Sequence, residues 1–180
     1  MWAALSQFEG QFLLWVQEVL RQPWLNPLVA FYTKLGDHGL IWIAACLLML
    51  LWPKTRRAGL AGGFALLLSF LCTNIVLKHL FTRTRPWLVL EGLLPLVVER
   101  DPNSFPSGHS SAALACGLAW WHYLPKAWRV TGLVCALLIA LSRLYVGVHF
   151  PTDVIFGILV GVLCGWGGWK LEGKLDKNVK

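Results

Sequence analysis

Residues 58–77, AGLAGGFALLLSFLCTNIVL, pass twenty positions without a charged side chain. A helix of about twenty apolar residues spans the hydrocarbon core of a bilayer. In that solvent the backbone must satisfy its own N–H and C=O groups, which a helix does and an irregular segment does not. Four further apolar runs accompany it, at approximately 38–53, 109–124, 130–148 and 153–169; the first and third are short for a crossing. With 57% hydrophobic and 14% charged residues, the composition excludes an ordinary soluble domain. The pattern predicts an all-α integral membrane protein, a bundle of five to six transmembrane helices in a single domain covering 1–180. The sixth span would be completed by residues 27–35.

Residues 4–22 differ from these runs. Phe8, Phe12, Leu13, Trp15, Val16, Val19 and Leu20 interleave with Gln7, Glu9, Gln11, Gln17, Glu18 and Arg21. That mixture predicts an amphipathic helix lying at the membrane interface, ended by Pro23 and Pro27. No basic stretch precedes it, so no cleaved signal peptide is expected. The chain thus divides into an interfacial N-terminal segment (1–36), a transmembrane core (37–170) and a cytoplasmic tail (171–180).

Basic residues cluster after alternate runs: Lys54, Arg56 and Arg57; Lys126 and Arg129; Lys170, Lys174, Lys177 and Lys180. Alternate loops share a side, and excess Lys and Arg marks the cytoplasmic one. The net charge of +7 is therefore read as topology and lipid or phosphate contact, with no nucleic-acid partner. The five cysteines sit inside apolar runs as packing residues. Trp52, Trp87, Trp120, Trp121, Trp128, Trp166 and Trp169 lie near run ends, as an aromatic belt would. Gly157, Gly161 and Gly165 recur every fourth residue, which predicts close helix packing within the bundle.

Three polar stretches remain, all assigned by this topology to the opposite, outer end. They are KHLFTRTRP (78–86), FPSGHSS (105–111) and SRLYVGVHFPTD (142–153). Charges among apolar runs are costly unless something compensates them. Together they supply Lys78, Arg85 and Arg143, the imidazoles of His109 and His149, and the carboxylate of Asp153. A helix opening at His109 adds free N–H groups suited to an anion. Guanidinium groups and a lysine suit a phosphate. Two imidazoles can divide the work of nucleophile and acid, and a carboxylate beside a histidine fixes its tautomer. Arg83 and His79 are read as outer-surface charge, and Asp37 and His38 as cap and interface residues. No acidic cluster in the sequence resembles a Mg²⁺ site.

The order and spacing of these residues resemble a known signature: Lys78, six residues, Arg85–Pro86; Pro106–Ser107–Gly108–His109; Ser142–Arg143, five residues, His149, three residues, Asp153. This is similar to the three-part signature of the type 2 phosphatidic acid phosphatases, membrane lipid phosphatases related to vanadium haloperoxidases. The resemblance implies that His149 attacks phosphorus to form a phosphohistidine. Asp153 would orient it, and His109 would protonate the leaving oxygen. Lys78, Arg85, Arg143, Ser107 and the Gly108 N–H would bind phosphate oxygens, with no cofactor and no metal. The loop from Trp87 to Phe105 contains WLVLEGLLPLVV, apolar enough to dip into the outer leaflet beside the active site. The expected protein is therefore a multi-pass cell-membrane enzyme with an extracytoplasmic active site. Its partners are the bilayer and a lipid phosphate substrate. Undecaprenyl diphosphate is favoured, with phosphatidylglycerophosphate and phosphatidic acid as rivals. A non-enzymatic lipid-phosphate binder or transporter is the alternative of a different class.

Overall fold

A computed structural model describes the backbone of residues 2–179 and the side chains of 5–175. Described residues form helices α1 (Trp2–Trp15), α2 (Asn26–Leu35), α3 (Leu40–Leu50), α4 (Arg56–Phe70), α5 (Lys78–Leu80), α6 (Pro86–Val89), α7 (Gly108–Trp120), α8 (Lys126–Tyr145) and α9 (Pro151–Val179). A π-helical stretch, Leu71–Leu77, joins α4 to α5, so the chain stays helical from Arg56 to Leu80. Pro151 opens α9, where its fixed φ suits the first turn. Ser107 caps α7, its hydroxyl accepting the Ser110 N–H at 3.3 Å.

Three helices are long and apolar enough to cross a membrane: Arg56–Leu80, Lys126–Tyr145 and Pro151–Leu175. The pair Asn26–Leu35 and Asp37–Leu50 makes a fourth if counted as one span bent by 45°. His38 (φ 53°) and Gly39 (φ 70°) form that bend. The five to six spans expected from the runs are therefore not all reached by single long helices. Residues 27–35 do form a helix, but as half of a broken one. The run at 109–124 forms a helix of only 13 residues, most of it buried.

Small residues set the spacing of the bundle. On α9, a methyl built on Gly157, Gly161 or Gly165 would stand 2.5, 2.6 or 2.8 Å from the carbonyl oxygens of Ser107, Ser111 or Ala115. The backbone of α7 thus lies directly on the glycine face of α9, the packing expected from the four-residue repeat. Further along, Gly168 meets the Ala61 carbonyl in the same way at 2.5 Å, which brings in α4. Trp120 is only 4% exposed and belongs to the core rather than to an aromatic belt. Its ring lies 5.8 Å from that of Trp42. Gly62 and Gly132 open the room for it, since a methyl on either would crowd the indole. Trp52, Trp128 and Trp166 do face outward.

The basic clusters meet at one end. Arg57 grips Glu172 with Nε and Nη2, at 2.8 and 3.1 Å, and the Tyr123 hydroxyl donates to the same carboxylate. This joins the start of α4, the turn after α7 and the late part of α9. Helix α9 runs through to Val179 without a break at 171, so the expected tail continues the helix. The side chains of Lys177 and Lys180 lie outside the described residues.

The N-terminal helix departs from the amphipathic expectation. Phe8, Phe12 and Trp15 face outward, while Leu13, Val16 and Glu9 face inward. A lipid-facing exterior reverses the usual polarity: apolar side chains tolerate the outside, and a carboxylate needs a partner within.

Gly161→Leu is expected to lower the thermal unfolding midpoint in detergent, because its first carbon would strike backbone that cannot yield. Overpacking of this kind costs on the order of 1–3 kcal/mol. An unchanged midpoint by scanning calorimetry or intrinsic fluorescence would contradict the packing described.

Candidate active site

Four helix termini converge at the end opposite Arg57 and Glu172: the ends of α5 and α8 and the starts of α7 and α9. The chain between α5 and α6 is extended and pairs Thr84 with Asn103. Side chains alternate along such a segment. Arg83 and Arg85 accordingly point inward while Thr84 is exposed. The Ser104 N–H donates to the Arg83 carbonyl at 2.7 Å, and the Ser107 N–H to the Asp153 carbonyl at 2.9 Å. These bonds tie the three signature stretches together.

A cavity of about 780 Å³ opens here. Lys78, Arg85, Gly108, His109 and His149 all line it, with Asn74, Asp37, Glu99, Arg100 and Asp101. Gly108 faces the Asn74 amide oxygen, which a methyl would approach to 3.3 Å. Arg143, Ser107 and Asp153 do not line the cavity but stand fully buried behind it. The Ser107 hydroxyl is committed to Ser110, accepting from both its N–H and its hydroxyl. In this structure Ser107 therefore serves as the cap of α7.

His149 presents Nε2 to Arg85 Nη1 at 3.3 Å, and Arg85 is held by the carbonyls of Asp101 (2.6 Å) and Val148 (3.1 Å). His149 Nδ1 faces Asp153 Oδ2 at 3.6 Å, too long for a formed hydrogen bond. Oδ2 accepts the Phe150 N–H at 2.8 Å, while Oδ1 accepts from Arg83 at 2.7 Å. Burial, followed by the charges of Arg85, Arg143 and Lys78, holds the His149 imidazole well below its usual range, which favours its neutral form.

Lys78, Arg143 and His109 each have a carboxylate partner. Lys78 meets Asp101 at 2.5 Å, Arg143 meets Glu99 and the Thr33 hydroxyl, and His109 Nε2 meets Asp37 at 2.9 Å. Burial alone would raise the Glu99 and Asp101 carboxyls. The neighbouring cations outweigh it, Arg143 foremost for Glu99 and Lys78 for Asp101, and keep both below the ordinary range. Asp37, read from the sequence as a cap, is therefore a cavity residue, placed there by the bend at His38 and Gly39. Asp37, Glu99 and His109 offer ligand atoms within 4.8 Å of one another, close enough to hold a cation. Sequence separation hides this cluster, and two of its groups already hydrogen-bond each other.

Arg83 corrects another expectation. It is 2% exposed, not a surface charge. Besides Asp153 it binds Glu9 Oε2 at 2.5 Å, Thr152 Oγ1 at 2.8 Å and Ser6 Oγ at 3.1 Å. Its position two residues before Arg85, on the same side of an extended stretch, was the available signal. Thr33, Glu99 and Glu9 carried none, since their partners are distant in sequence.

A family model described as PAP2 superfamily matches residues 58–177, a segment that holds every member of the converging set from Lys78 to Asp153. The chain belongs to the PAP2 superfamily. It is 32% identical over 140 residues to an undecaprenyl-diphosphatase of Sulfolobus acidocaldarius, covering 76% of this chain and 66% of that protein. It is 33% identical over 162 residues to phosphatidylglycerophosphatase B of Bacillus subtilis, covering 81% and 74%. Among solved structures, Aquifex aeolicus LpxE superposes with a TM-score of 0.78 at 26% identity, over 89% of this chain and 93% of that one. A PAP2-type phosphatidylglycerolphosphate phosphatase from Bacillus subtilis gives 0.74 at 28%, over 99% and 89%. Superfamily membership and the phosphatase names of these relatives make the chain a phosphoric ester hydrolase.

An imidazole that is neutral well below its ordinary pKa of about 6.5 stays unprotonated in mild acid. The acidic limb of kcat/KM is expected below pH 6.5 accordingly, because activity falls only as pH drops through the folded-state value. Arg85→Gln removes a cation that disfavours imidazolium, so it should move this limb to higher pH as well as weaken the enzyme. A pH–rate profile with its acidic limb above pH 7 in the parent protein would contradict the electrostatics described.

Proposed function

We propose that the protein hydrolyses the phosphate or diphosphate group of a membrane lipid through a phosphohistidine on His149, with undecaprenyl diphosphate as the favoured substrate. The carrying observation is that His149 Nε2, Lys78, Arg85 and His109 share one cavity at one end of the bundle. Phosphoryl transfer depends on positioning and on neutralising charge around phosphorus. Lys78 and Arg85 contact the phosphate from the cavity wall, and the N–H groups at the start of α7 add donors. Arg143 acts from behind, through whatever oxygen displaces Glu99.

In the first step His149 Nε2 forms a bond to phosphorus as the bond to the leaving oxygen breaks. His109 gives its proton to that oxygen. In the second step water attacks the phosphohistidine; His109 accepts the water proton, inorganic phosphate leaves and Nε2 is restored. Asp153 supports the positive imidazole that develops in between. No step needs a metal.

The lipid assignment is supported by the loop beside the cavity. Leu93 seats on Leu13 and Phe150, and Val97 on Val146 and Val148, while Leu88, Val89, Leu94 and Val98 face outward. An apolar rim of this kind suits a substrate whose tail stays in the bilayer. The basic clusters at the far end support a cytoplasmic location there, and hence a site opening on the extracytoplasmic face, where a diphosphate carrier lipid would be met. Phosphatidylglycerophosphate is the second reading, favoured by the 99% coverage of this chain by the Bacillus subtilis structure.

Purified protein in detergent is expected to release phosphate from undecaprenyl diphosphate with EDTA present, and vanadate should inhibit it. Phosphatidylglycerophosphate and phosphatidic acid, assayed beside it, rank the alternatives. His149→Ala should lower kcat on the order of 10³-fold or more, as loss of a nucleophile does, and should abolish acid-labile phosphate on the enzyme. Undiminished turnover by that variant would remove the proposed nucleophile.

A further inference from the structure

We infer that Glu9 and Arg83 are positioning residues of the reaction, and that helix α1 is thereby a working part of the active site. This rests on the reading of His149 as nucleophile and Asp153 as its supporting carboxylate. Neither Glu9 nor Arg83 belongs to the signature residues, and Glu9 lies outside the segment matched by the family model.

The geometry is a buried chain of charge running from α1 to the nucleophile. Glu9 Oε2 accepts from Arg83 Nη2 at 2.5 Å, and Arg83 Nη1 donates to Asp153 Oδ1 at 2.7 Å. Asp153 Oδ2 then faces His149 Nδ1 at 3.6 Å. Side-chain exposure is 4% for Glu9, 1% for Arg83 and 0% for Asp153. The Thr152 backbone N–H donates to Glu9 Oε1 at 2.6 Å, and its hydroxyl donates to Oε2 at 3.1 Å, so Glu9 also grips the first turn of α9. The Arg83 guanidinium lies 3.9 Å from the centre of the Phe150 ring, beside His149 in the chain.

Arg83 therefore touches the carboxylate behind the imidazole and the ring of the residue that follows His149 in the chain. Its fork fills Oδ1 of Asp153 and leaves Oδ2 turned toward Nδ1. Without Arg83, Oδ1 would lose its guanidinium partner and the carboxylate would keep the Phe150 N–H on Oδ2, so its aim at Nδ1 would be less firmly held. Without Glu9 the guanidinium would lose one of its two carboxylate partners, and its second terminal nitrogen would keep Ser6 Oγ at 3.1 Å. A planar, five-donor group suits such a three-way junction, and a lysine does not.

The test measures kcat and KM on the lipid phosphate that the parent enzyme hydrolyses best, with His149→Ala and Val16→Ala as companions. Val16 is buried on the same N-terminal segment and its side chain carries no charge or hydrogen-bonding group, so its truncation reports what loosening that segment does by itself. Arg83→Gln and Glu9→Gln are each expected to lower kcat by about 10- to 100-fold, the scale for outer partners that orient reacting groups. KM should stay within about 3-fold, because the interaction is not with bound phosphate. Arg83→Lys should recover part of the loss. In the Arg83→Gln background Glu9→Gln should add little, since Glu9 acts through Arg83. Val16→Ala should retain its kcat at a comparable loss of thermal midpoint.

The inference is overturned if folded Arg83→Gln keeps kcat within about 3-fold of the parent. It is equally overturned if the Glu9 and Arg83 effects multiply independently, or if Val16→Ala loses kcat as much. Should Arg83→Gln not fold, Glu9→Gln and Arg83→Lys carry the same comparison; failure of all three to fold would assign the pair to stability alone. An active His149→Ala would overturn the nucleophile reading itself, which separates that failure from failure of the positioning role.

Discussion

A guanidinium cannot escape burial by losing its proton. That constraint organises the active end of this protein. Arg83, Arg85 and Arg143 are 2%, 2% and 0% exposed, and each must find fixed acceptors where water is scarce. Arg83 takes Glu9 and Asp153, Arg85 takes two carbonyls, and Arg143 takes Thr33 and Glu99. The six acceptors come from four separate stretches of chain. Burying the three cations therefore fixes α1, α2, the loop before α7 and α9 relative to one another. The same bonds that offset desolvation also aim the groups around His149.

Those bonds hold only if the helices approach closely. The contact of α7 with α9 depends on Gly157, Gly161 and Gly165, and that of α4 on Gly168. Gly157 lies against the Ser107 carbonyl, one residue from the Gly108 that opens onto the cavity. Close packing thus reaches the site itself. Gly147 shows the same economy in the loop before His149: its φ of 78° is a left-handed conformation, and a methyl there would meet Arg21 at 2.6 Å. Arg21 in turn donates to the carbonyls of Tyr145 and Leu94, holding the apolar loop in place.

What the sequence made legible was whatever recurs locally. Hydropathy gave the helical character and the long runs, the glycine spacing gave the α7–α9 contact, and the signature gave a set of which Lys78, Arg85, Gly108, His109 and His149 line the cavity while Ser107, Arg143 and Asp153 are buried behind it. The errors share one physical origin. Asp37, Arg83, Glu9 and Glu99 act through partners 44 to 77 positions away or through a backbone bend, and no local pattern encodes such a pairing. Trp120 lay near a run end like the other tryptophans; only Gly62 and Gly132, distant in sequence, make it a core residue. The short run at 109–124 became a 13-residue helix, most of it buried among the others, so its length alone does not count it as a span.

Helix direction explains why an anion site arises at this end. Adjacent helices alternate, so α7 and α9 begin here while α5 and α8 end here. The two N-termini bring partial positive charge and free N–H groups, which favour an anion. The two C-termini would oppose it with exposed carbonyls. Lys78 begins α5 and Arg143 lies in the last turn of α8, where a cation is stabilised by the carbonyl end of its helix. The chain thus converts the unfavourable helix ends into additional sources of positive charge. An antiparallel bundle needs only a cation on each descending helix for all four termini to favour an anion together. That is a physical reason for finding a lysine and an arginine at those two positions, independent of any family pattern.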